Sequence, residues 1–166
     1  MSNPGSLKVT TPSDREIVIT RVFDAPRTLV WEALTTPTLL QRWLGGLPGW
    51  TMTTCEMDLR VGGAYRYEWR KDDGTVMGMG GVLREVVAPE RMTATERFDQ
   101  SWYPGEGLVS QVLTEQNGKT TITMTLRYES KEARDMVVKS GATSGMEISY
   151  GRLDELLAGT QAAGAR

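Results

Sequence analysis

The segment LRVGGAYRYEWR, residues 59–70, contains three aromatic side chains at every second position. They are Tyr65, Tyr67 and Trp69, each two residues from the next. On a β-strand this spacing puts all three rings on one face. Such a row either fills a hydrophobic core or lines a cavity, and core packing is the commoner outcome. In a cavity, a polar group of a ligand could satisfy a buried tyrosine hydroxyl.

A single carboxylate, Glu96, is the weak candidate for a catalytic acid or base. It shares a predicted strand face with Met92, Ala94 and Phe98. If that face points inward, burial should raise the pKa of Glu96 unless an arginine pairs with it. The alternative is a partly exposed glutamate at a strand end or in a structural ion pair.

The sequence contains no histidine and one cysteine, Cys55. Catalytic triads with imidazole and zinc sites built from histidine or several cysteines are therefore excluded. The Gly62-Gly63 pair lacks the Gly-Lys-Ser/Thr ending of a phosphate-binding loop, so no nucleotide site is predicted. We expect neither a metal nor a cofactor. A lone cysteine fits a reducing compartment, which predicts a cytoplasmic protein.

The charge pattern gives no sign of a charged macromolecular partner. The net charge is −2, and acidic and basic residues are interspersed without a run of one sign. We therefore expect no nucleic-acid binding and, without an apolar stretch of spanning length, no membrane insertion. The length of 166 residues predicts one domain.

The predicted order along the chain is one strand and two helices, then a strand-rich part, then two more helices. Residues 1–15 are predicted as a disordered lead, residues 16–160 as one domain, and residues 161–166 as a flexible tail. Helices are expected after Asp24-Ala-Pro, after Thr36-Pro37, after Ser130 and over 143–159. Strands are predicted at 16–23, 51–60, 64–70, 76–87, 91–98, 107–116 and 120–128.

The turns between these strands predict an antiparallel meander. Asp73-Gly74 and Asn117-Gly118 are strong hairpin signals because such turns require positive φ. Asp58 and Arg60, two residues apart on one face, predict a structural salt bridge.

The final helix is the only long element that could cover the apolar face of the sheet. The predicted fold is therefore α+β, with a curved antiparallel sheet wrapped around a long C-terminal helix and two short helices after the first strand. Gly145 and Ser149 lie beside the apolar stripe of that helix and leave space. This space predicts an internal cavity bordered by the aromatic row.

Several segments resemble one superfamily, the START-like, birch-pollen-allergen and polyketide-cyclase proteins. RVFDAPRTLVWEALTTPTLLQRWLG (21–45) is similar to their opening. DLRVGGAYRYEWR (58–70), with its Asp-x-Arg-x-Gly-Gly element, is similar to the branch named for homology to activators of the heat-shock-protein-ninety ATPase. The segments 80–98 and 130–157 match that branch too. The resemblance covers roughly 16–160 and implies the helix-grip fold.

The resemblance implies three functions of different classes. The first is binding of a hydrophobic or amphipathic small molecule, such as a lipid, in an internal cavity. The second is an enzyme of the cyclase, dehydratase or hydrolase kind that uses Glu96 or a tyrosine. The third is a module that contacts a chaperone. A homodimer through an exposed sheet edge is also left open.

The expected cavity residues combine the aromatic row with apolar side chains of neighbouring elements. Trp43 and Trp50 lie where the superfamily has its cavity mouth, and Gly45, Gly46 and Gly49 would let that segment move as a gate. Met77 and Met79 read as core or as an adaptable cavity wall. The predicted lining is Trp43, Trp50, Tyr65, Tyr67, Trp69, Met77, Met79, Phe98, Met146 and Tyr150.

Overall fold

The structure, a computed structural model, describes residues 7–45 and 48–164, which form eight β-strands and four α-helices. The strands are β1 (Lys8–Thr10), β2 (Glu16–Phe23), β3 (Trp50–Met57), β4 (Ala64–Lys71), β5 (Val76–Val87), β6 (Arg91–Phe98), β7 (Gly107–Gln116) and β8 (Lys119–Arg127). The helices are α1 (Arg27–Thr35), α2 (Pro37–Trp43), α3 (Lys131–Lys139) and α4 (Ala142–Gly164).

All the strands join in one antiparallel sheet with the order β1-β2-β8-β7-β6-β5-β4-β3. The meander β3 to β8 is thus extended by β2, which pairs with β8 along its whole length. Register shifts in β3, between Met52 and Thr54, and in β5, between Leu83 and Glu85, mark bulges that bend the sheet. The predicted α+β fold with a helix-gripping antiparallel sheet is confirmed.

The turns have the backbone conformations that their residues predict. Asn117 and Gly118 have φ of 54° and 76° between β7 and β8, and Gly74 has φ of 92° between β4 and β5. Only residues that tolerate positive φ can fill these positions, so the hairpin prediction is confirmed at both. Arg60 Nε donates to Asp58 Oδ2 at 2.8 Å, as predicted, and the exposure of both side chains makes this ion pair a weak one.

The N-terminal segment differs from the expected disordered lead. Residues 8–10 form β1 and pair with β2, Lys8 opposite Thr20. The outer edge of β2 offers unpaired N–H and C=O groups, and a short β-branched segment is enough to occupy them. Residues 1–6 lie outside the described part of the chain.

The final helix is longer than predicted, running from Ala142 to Gly164 rather than over 143–159. A glycine inside a helix costs only about 1 kcal/mol, so Gly159 does not end it when helix-forming residues follow. The predicted flexible tail is therefore helical through residue 164, and residues 165–166 lie outside the described part. No helix among the described residues is both long and apolar enough to cross a bilayer.

An ion pair on the inner side of the sheet attaches α4 to β2. Arg21 is only 5% exposed, and its Nη2 donates to Asp154 Oδ2 at 2.5 Å. The guanidinium carbon also lies 4.6 Å from the centroid of the Phe23 ring, a cation–π distance. Tyr150, Leu153 and the following leucines of α4 are buried nearby. The second half of α4 is thus fixed to the sheet and to the short helices.

Two glycines should respond in opposite ways to substitution by alanine. A Cβ on Gly81 would lie 1.9 Å from the Thr95 carbonyl oxygen, whereas a Cβ on Gly151 in α4 would meet open space. We expect Gly81→Ala to lower the free energy of unfolding by ~1–3 kcal/mol through strand displacement. Gly151→Ala should raise it by about 0.5–1 kcal/mol through helix propensity. Urea denaturation of both variants checks this, and a neutral Gly81→Ala would contradict the strand spacing described.

Candidate ligand-binding cavity

A cavity of about 500 Å³ lies between the concave face of the sheet and the first half of α4. Strands β2 to β8 supply its floor and walls, and α4 contributes Ala142, Thr143, Gly145, Met146 and Ser149. Near Tyr150 and Asp154, side chains fill the space between α4 and the sheet. The small residues Gly145 and Ser149 precede them on α4 and border the cavity, as the sequence predicted.

Most of the predicted lining residues meet in this cavity. Those that line it are Trp50, Tyr65, Tyr67, Trp69, Met77, Met79, Phe98 and Met146, together with Glu96. Cross-strand pairs in β4 and β5 place Tyr67 opposite Met79 and Trp69 opposite Met77. The wall therefore alternates large aromatic rings with flexible thioethers, a surface that adapts to ligands of different shape.

The aromatic row on β4 faces the cavity. The polar atoms of its first and last residues already form hydrogen bonds with backbone carbonyl groups of the protein. Tyr65 donates its hydroxyl hydrogen to the Thr95 carbonyl oxygen at 2.6 Å, and Trp69 Nε1 donates to the Leu44 carbonyl oxygen at 3.0 Å. The centroid of the Tyr67 ring lies 5.2 Å from that of Tyr65 and 6.0 Å from that of Trp69. The row is a mostly apolar wall held at both ends by hydrogen bonds to the backbone.

The prediction that Trp43 and Tyr150 line the cavity is wrong. Both side chains are buried in the hydrophobic core and do not border the cavity. Their rings stack at 6.0 Å, and Tyr150 meets Phe23 edge to face at 5.2 Å. Trp43 Nε1 donates to the Ala33 carbonyl oxygen at 2.8 Å. Tyr150 shares the apolar stripe of α4 with Met146, but it falls on the turn where α2 and β2 contact the helix.

The predicted gate falls partly outside the described residues, since residues 46–47 are not described. At its edges Trp50 lines the cavity, with Lys71 Nζ 5.8 Å from its ring centroid. Gly45 is needed for close packing, because a Cβ there would lie 2.2 Å from the Gln41 carbonyl oxygen. Movement of this segment stays a prediction.

Glu96 lies in a row of side chains that crosses the sheet. Pairing puts Tyr65 opposite Gly81 and Glu96 opposite Gly107. Continued by one residue, the β5–β6 register brings Gly81 beside Glu96, and the β7–β8 register brings Gly107 beside Tyr128. The order across the sheet is Tyr-Gly-Glu-Gly-Tyr. Neither glycine places a side chain of its own beside the carboxyl group, which lines the cavity, and the Tyr128 ring lies over Gly107, its Cε1 3.5 Å from where a Cβ would stand.

A second aromatic cluster, of which sequence reasoning assigned only Phe98 to the site, lies beside Glu96. The Tyr103 ring centroid lies 5.3 Å from that of Tyr128, 5.2 Å from that of Trp102 and 6.4 Å from that of Phe98. Tyr128 continues the inward period-two pattern of β8, which the sequence does show. Tyr103 lies in the loop between β6 and β7, where no periodicity reveals which way a side chain points.

Burial raises the pKa of Glu96 to about 7. No hydrogen bond or ion pair from the described residues offsets the loss of hydration. Burial also raises the pKa values of Tyr65, Tyr103 and Tyr128 well above their usual range, and the nearby Glu96 charge adds to the rise. Near neutral pH, Glu96 can therefore change protonation while the tyrosines around it stay neutral.

Two buried polar atoms in the lining have no partner among the described residues. They are the hydroxyl of Tyr103, which is 4% exposed, and Oε1 of Gln111 on β7. A buried polar group without a partner costs ~1–3 kcal/mol, so such groups are normally satisfied by water or a ligand. Both mark points where a bound molecule could form hydrogen bonds.

Few reactive side chains line the cavity. Among the described lining residues Glu96 is the only ionisable carboxylate, and no lysine or arginine is present. Burial, with a smaller effect of Glu56, raises the pKa of Cys55 to about 11, which leaves little thiolate at neutral pH. The site can bind apolar surface, form a few hydrogen bonds and exchange one proton.

Comparison with solved structures places the fold among bacterial proteins. A crystal structure from Rhodobacter sphaeroides is 33% identical, with a TM-score of 0.87 over 92% of this chain and 98% of that one. One from Mycobacterium smegmatis is 26% identical, with a TM-score of 0.81 over 92% of this chain and 97% of that one. A third, from Chromobacterium violaceum, is 27% identical, with a TM-score of 0.75 over 87% and 98% of the two chains.

A search of the curated proteins found no significant match. A family model does match, that of the Activator of Hsp90 ATPase homolog 1-like proteins, over residues 24–158. That span includes both short helices, β3 to β8 and most of α4. It also includes the cavity wall from Trp50 to Ser149 and the Asp-x-Arg-x-Gly-Gly element. The chain therefore belongs to the family of Activator of Hsp90 ATPase homolog 1-like proteins.

Proposed function

We propose that the protein binds a hydrophobic or amphipathic small molecule in the cavity between the sheet and α4. The observation that carries this proposal is the cavity itself, about 500 Å³ in a protein of 166 residues. Protein interiors are close-packed, and voids larger than a water molecule are few. Pockets that bind small molecules have volumes of roughly 300–1,000 Å³ and mostly apolar walls with few polar groups.

The lining has the composition that such a ligand requires. Methionine and aromatic side chains form the wall from β4 and β5, and aliphatic side chains of β2, β7 and β8 form the opposite side. The polar groups are few and separated: Glu96 with its tyrosines, Gln111, and the small hydroxyl residues of α4. An amphipathic molecule would place its apolar body on the methionines and its polar part at one of these groups.

Native mass spectrometry of freshly purified protein tests the proposal directly, because a bound molecule appears as added mass that is lost on denaturation. An apolar fluorescent probe gives the second measurement. Ser149→Phe should fill the space beneath α4 and weaken probe binding at least tenfold. Ile148→Phe is the matched control, since Ile148 is the adjacent residue, is 47% exposed and lies outside the lining.

Two outcomes together would contradict the proposal. They are the absence of a co-purified molecule and probe binding that is the same in both phenylalanine variants. Loss of binding in both variants would place the probe on the outer surface of α4 and would also count against the cavity.

A second candidate function, acid–base catalysis on the bound molecule, is favoured by one observation. Glu96 faces the cavity with its pKa raised to about 7, which suits proton transfer at neutral pH. Incubating the co-purified molecule with wild type and with Glu96→Gln would test it, because only the wild type should convert it into a product, which chromatography detects even where the mass is unchanged. Contact with a chaperone stays a prediction that rests on the family name.

A further inference from the structure

The charge distribution inside the cavity is one-sided. Glu96 is the only charged side chain among the described lining residues, and it has no cationic partner there. The nearby cations lie elsewhere. Arg66, on the other face of β4, is bound to Glu68 of the same strand and to Asp99 after β6. Arg97 lies outside the lining, and Arg21 is bound to Asp154 on α4. A buried carboxylate of this kind is normally neutralised by a cation or kept protonated.

Aromatic rings surround this carboxylate from several elements. Tyr65 and Tyr67 approach it from β4, Tyr103 from the β6–β7 loop, and Tyr128 from the end of β8. The glycines on either side, Gly81 and Gly107, have no side chain that would hold the rings away from the carboxylate, and Tyr128 Cε1 lies 3.5 Å from where a Gly107 Cβ would stand. The face of an aromatic ring attracts cations, and several rings around one carboxylate favour a cation that also carries apolar groups.

A buried hydrogen-bonding group lies at the same end of the cavity. The Tyr103 hydroxyl has no partner among the described residues, and the Tyr103 side chain lies close enough to Glu96 for the charge to raise its pKa. Its oxygen can accept a hydrogen bond from a donor that also reaches the carboxylate. An ammonium group carries three such donors on one atom.

We propose that the ligand of this cavity is a lipophilic amine, whose ammonium group binds between the Glu96 carboxylate and the surrounding tyrosine rings while its apolar body lies on the methionine wall. This inference rests on the proposed small-molecule binding function and names its ligand class.

Other amphipathic ligands fit the same space less well. A fatty acid would bring a second carboxylate to a cavity that holds no lysine or arginine, so one of the two groups would have to stay protonated. A neutral alcohol could bond to Glu96 but would leave an ionised Glu96 without a counter-charge. Only a cationic head group neutralises the carboxylate and uses the ring faces.

The affinity should also depend on pH, because an ammonium group binds the ionised carboxylate. The titratable groups that face Glu96 are the hydroxyls of four tyrosines: Tyr65, Tyr67, Tyr103 and Tyr128. Burial raises the pKa of each above its usual value of 10.0, so all four stay neutral near pH 7. The charged groups nearby, Arg97 and Glu106, influence Tyr103 from outside the lining. Between pH 6 and 8, Glu96 is therefore the group in this cluster whose charge changes.

The experiment compares three probes with one chain length: decylammonium, decanol and decanoate. Isothermal titration at pH 8 should show decylammonium binding at least about tenfold more tightly than the other two, a difference of about 1.4 kcal/mol. Its affinity should fall several-fold from pH 8 to pH 6, and the affinity for decanol should change little. In Glu96→Gln the preference and the pH dependence should both disappear, while decanol still binds. Glu147→Gln, which removes an exposed carboxylate of α4 outside the lining, is the control for surface charge.

The results test two claims separately: that the cavity binds a small molecule, and that this molecule is an amine. Decanol or decanoate binding as tightly as decylammonium would overturn the amine and leave cavity binding intact. A preference for decylammonium that Glu147→Gln abolishes as fully as Glu96→Gln would also overturn it, because bulk charge would then be the cause. Binding of none of the three probes would overturn the proposed function together with the inference. The probe and pH comparisons use wild-type protein, so they hold even if a variant fails to fold.

Discussion

Tyr150→Ala is expected to lower the free energy of unfolding by ~3–5 kcal/mol, whereas Tyr67→Ala is expected to cost clearly less. Both substitutions remove the same atoms, so the chemical change is matched. Tyr150 is 1% exposed and is enclosed by Phe23, Trp43 and the turns of α4, so its removal leaves a new void in packed core. One side of the Tyr67 ring already faces a cavity, so fewer packing contacts are lost.

Ligand binding should separate the two variants in the opposite direction. Tyr67→Ala changes the wall of the cavity and should alter the affinity for an apolar fluorescent probe, while Tyr150→Ala in a sample that remains folded should alter it little. Denaturant midpoints and probe titrations of wild type and both variants give the four comparisons needed. Equal stability losses with unchanged probe binding in Tyr67→Ala would mean that the aromatic row is ordinary core.

The stability of the protein should fall as the pH rises from about 4.5 to about 7, because Glu96 binds its proton more tightly in the folded state. The pKa of this carboxyl rises from its usual 4.5 to about 7 through burial. In that interval the native state holds more protons than the unfolded state, so each increase in pH favours unfolding. Above about pH 7 both states have lost the proton and the effect levels off.

Glu96→Gln should remove this contribution, since glutamine does not titrate. A shift of this size corresponds to at most roughly 3.4 kcal/mol, and because the Glu96 residue is only partly buried the charge costs less than that, so a loss of about 1–3 kcal/mol is expected between pH 5 and pH 8. Urea denaturation at a series of pH values measures it. The variant should be more stable than wild type at pH 8 and similar at pH 5. Parallel pH profiles for the two proteins would contradict the described environment of Glu96.

The local sequence determined the elements of the sheet and their faces. Asn117-Gly118 and Asp73-Gly74 predicted the hairpins because few residues tolerate positive φ, and β5, β6 and β7 begin and end where predicted. Period-two spacing put Tyr65, Tyr67 and Trp69 on one face, since the alternation of a strand is a property of its backbone. The same rule put Glu96 on one face with Met92, Ala94 and Phe98, but it left open whether that face points inward. These features depend on neighbours along the chain, which the sequence shows.

The tertiary structure decided which of those inward side chains meet. Gly81, Glu96 and Gly107 lie on three strands, and only their register sets the carboxyl between two residues without side chains. Tyr103 points into the cavity from a loop without periodicity. Arg21 lies on the inward face of β2 by alternation, but its partner there is Asp154 of the distant α4. Contacts between strands and helices far apart in sequence determine these positions, so the residues themselves carried no local sign of them.

The division of α4 into an attached half and an open half was also a tertiary outcome. Met146 and Tyr150 share one stripe of the helix, and the sequence assigned both to the cavity. The angle at which α4 crosses the sheet brings Tyr150 against Trp43 and leaves Met146 above empty space. A helix pattern reports which residues turn inward, but the distance to the opposite wall depends on how the whole sheet curves. This helix–sheet distance determines whether an inward side chain packs in the core or borders the cavity.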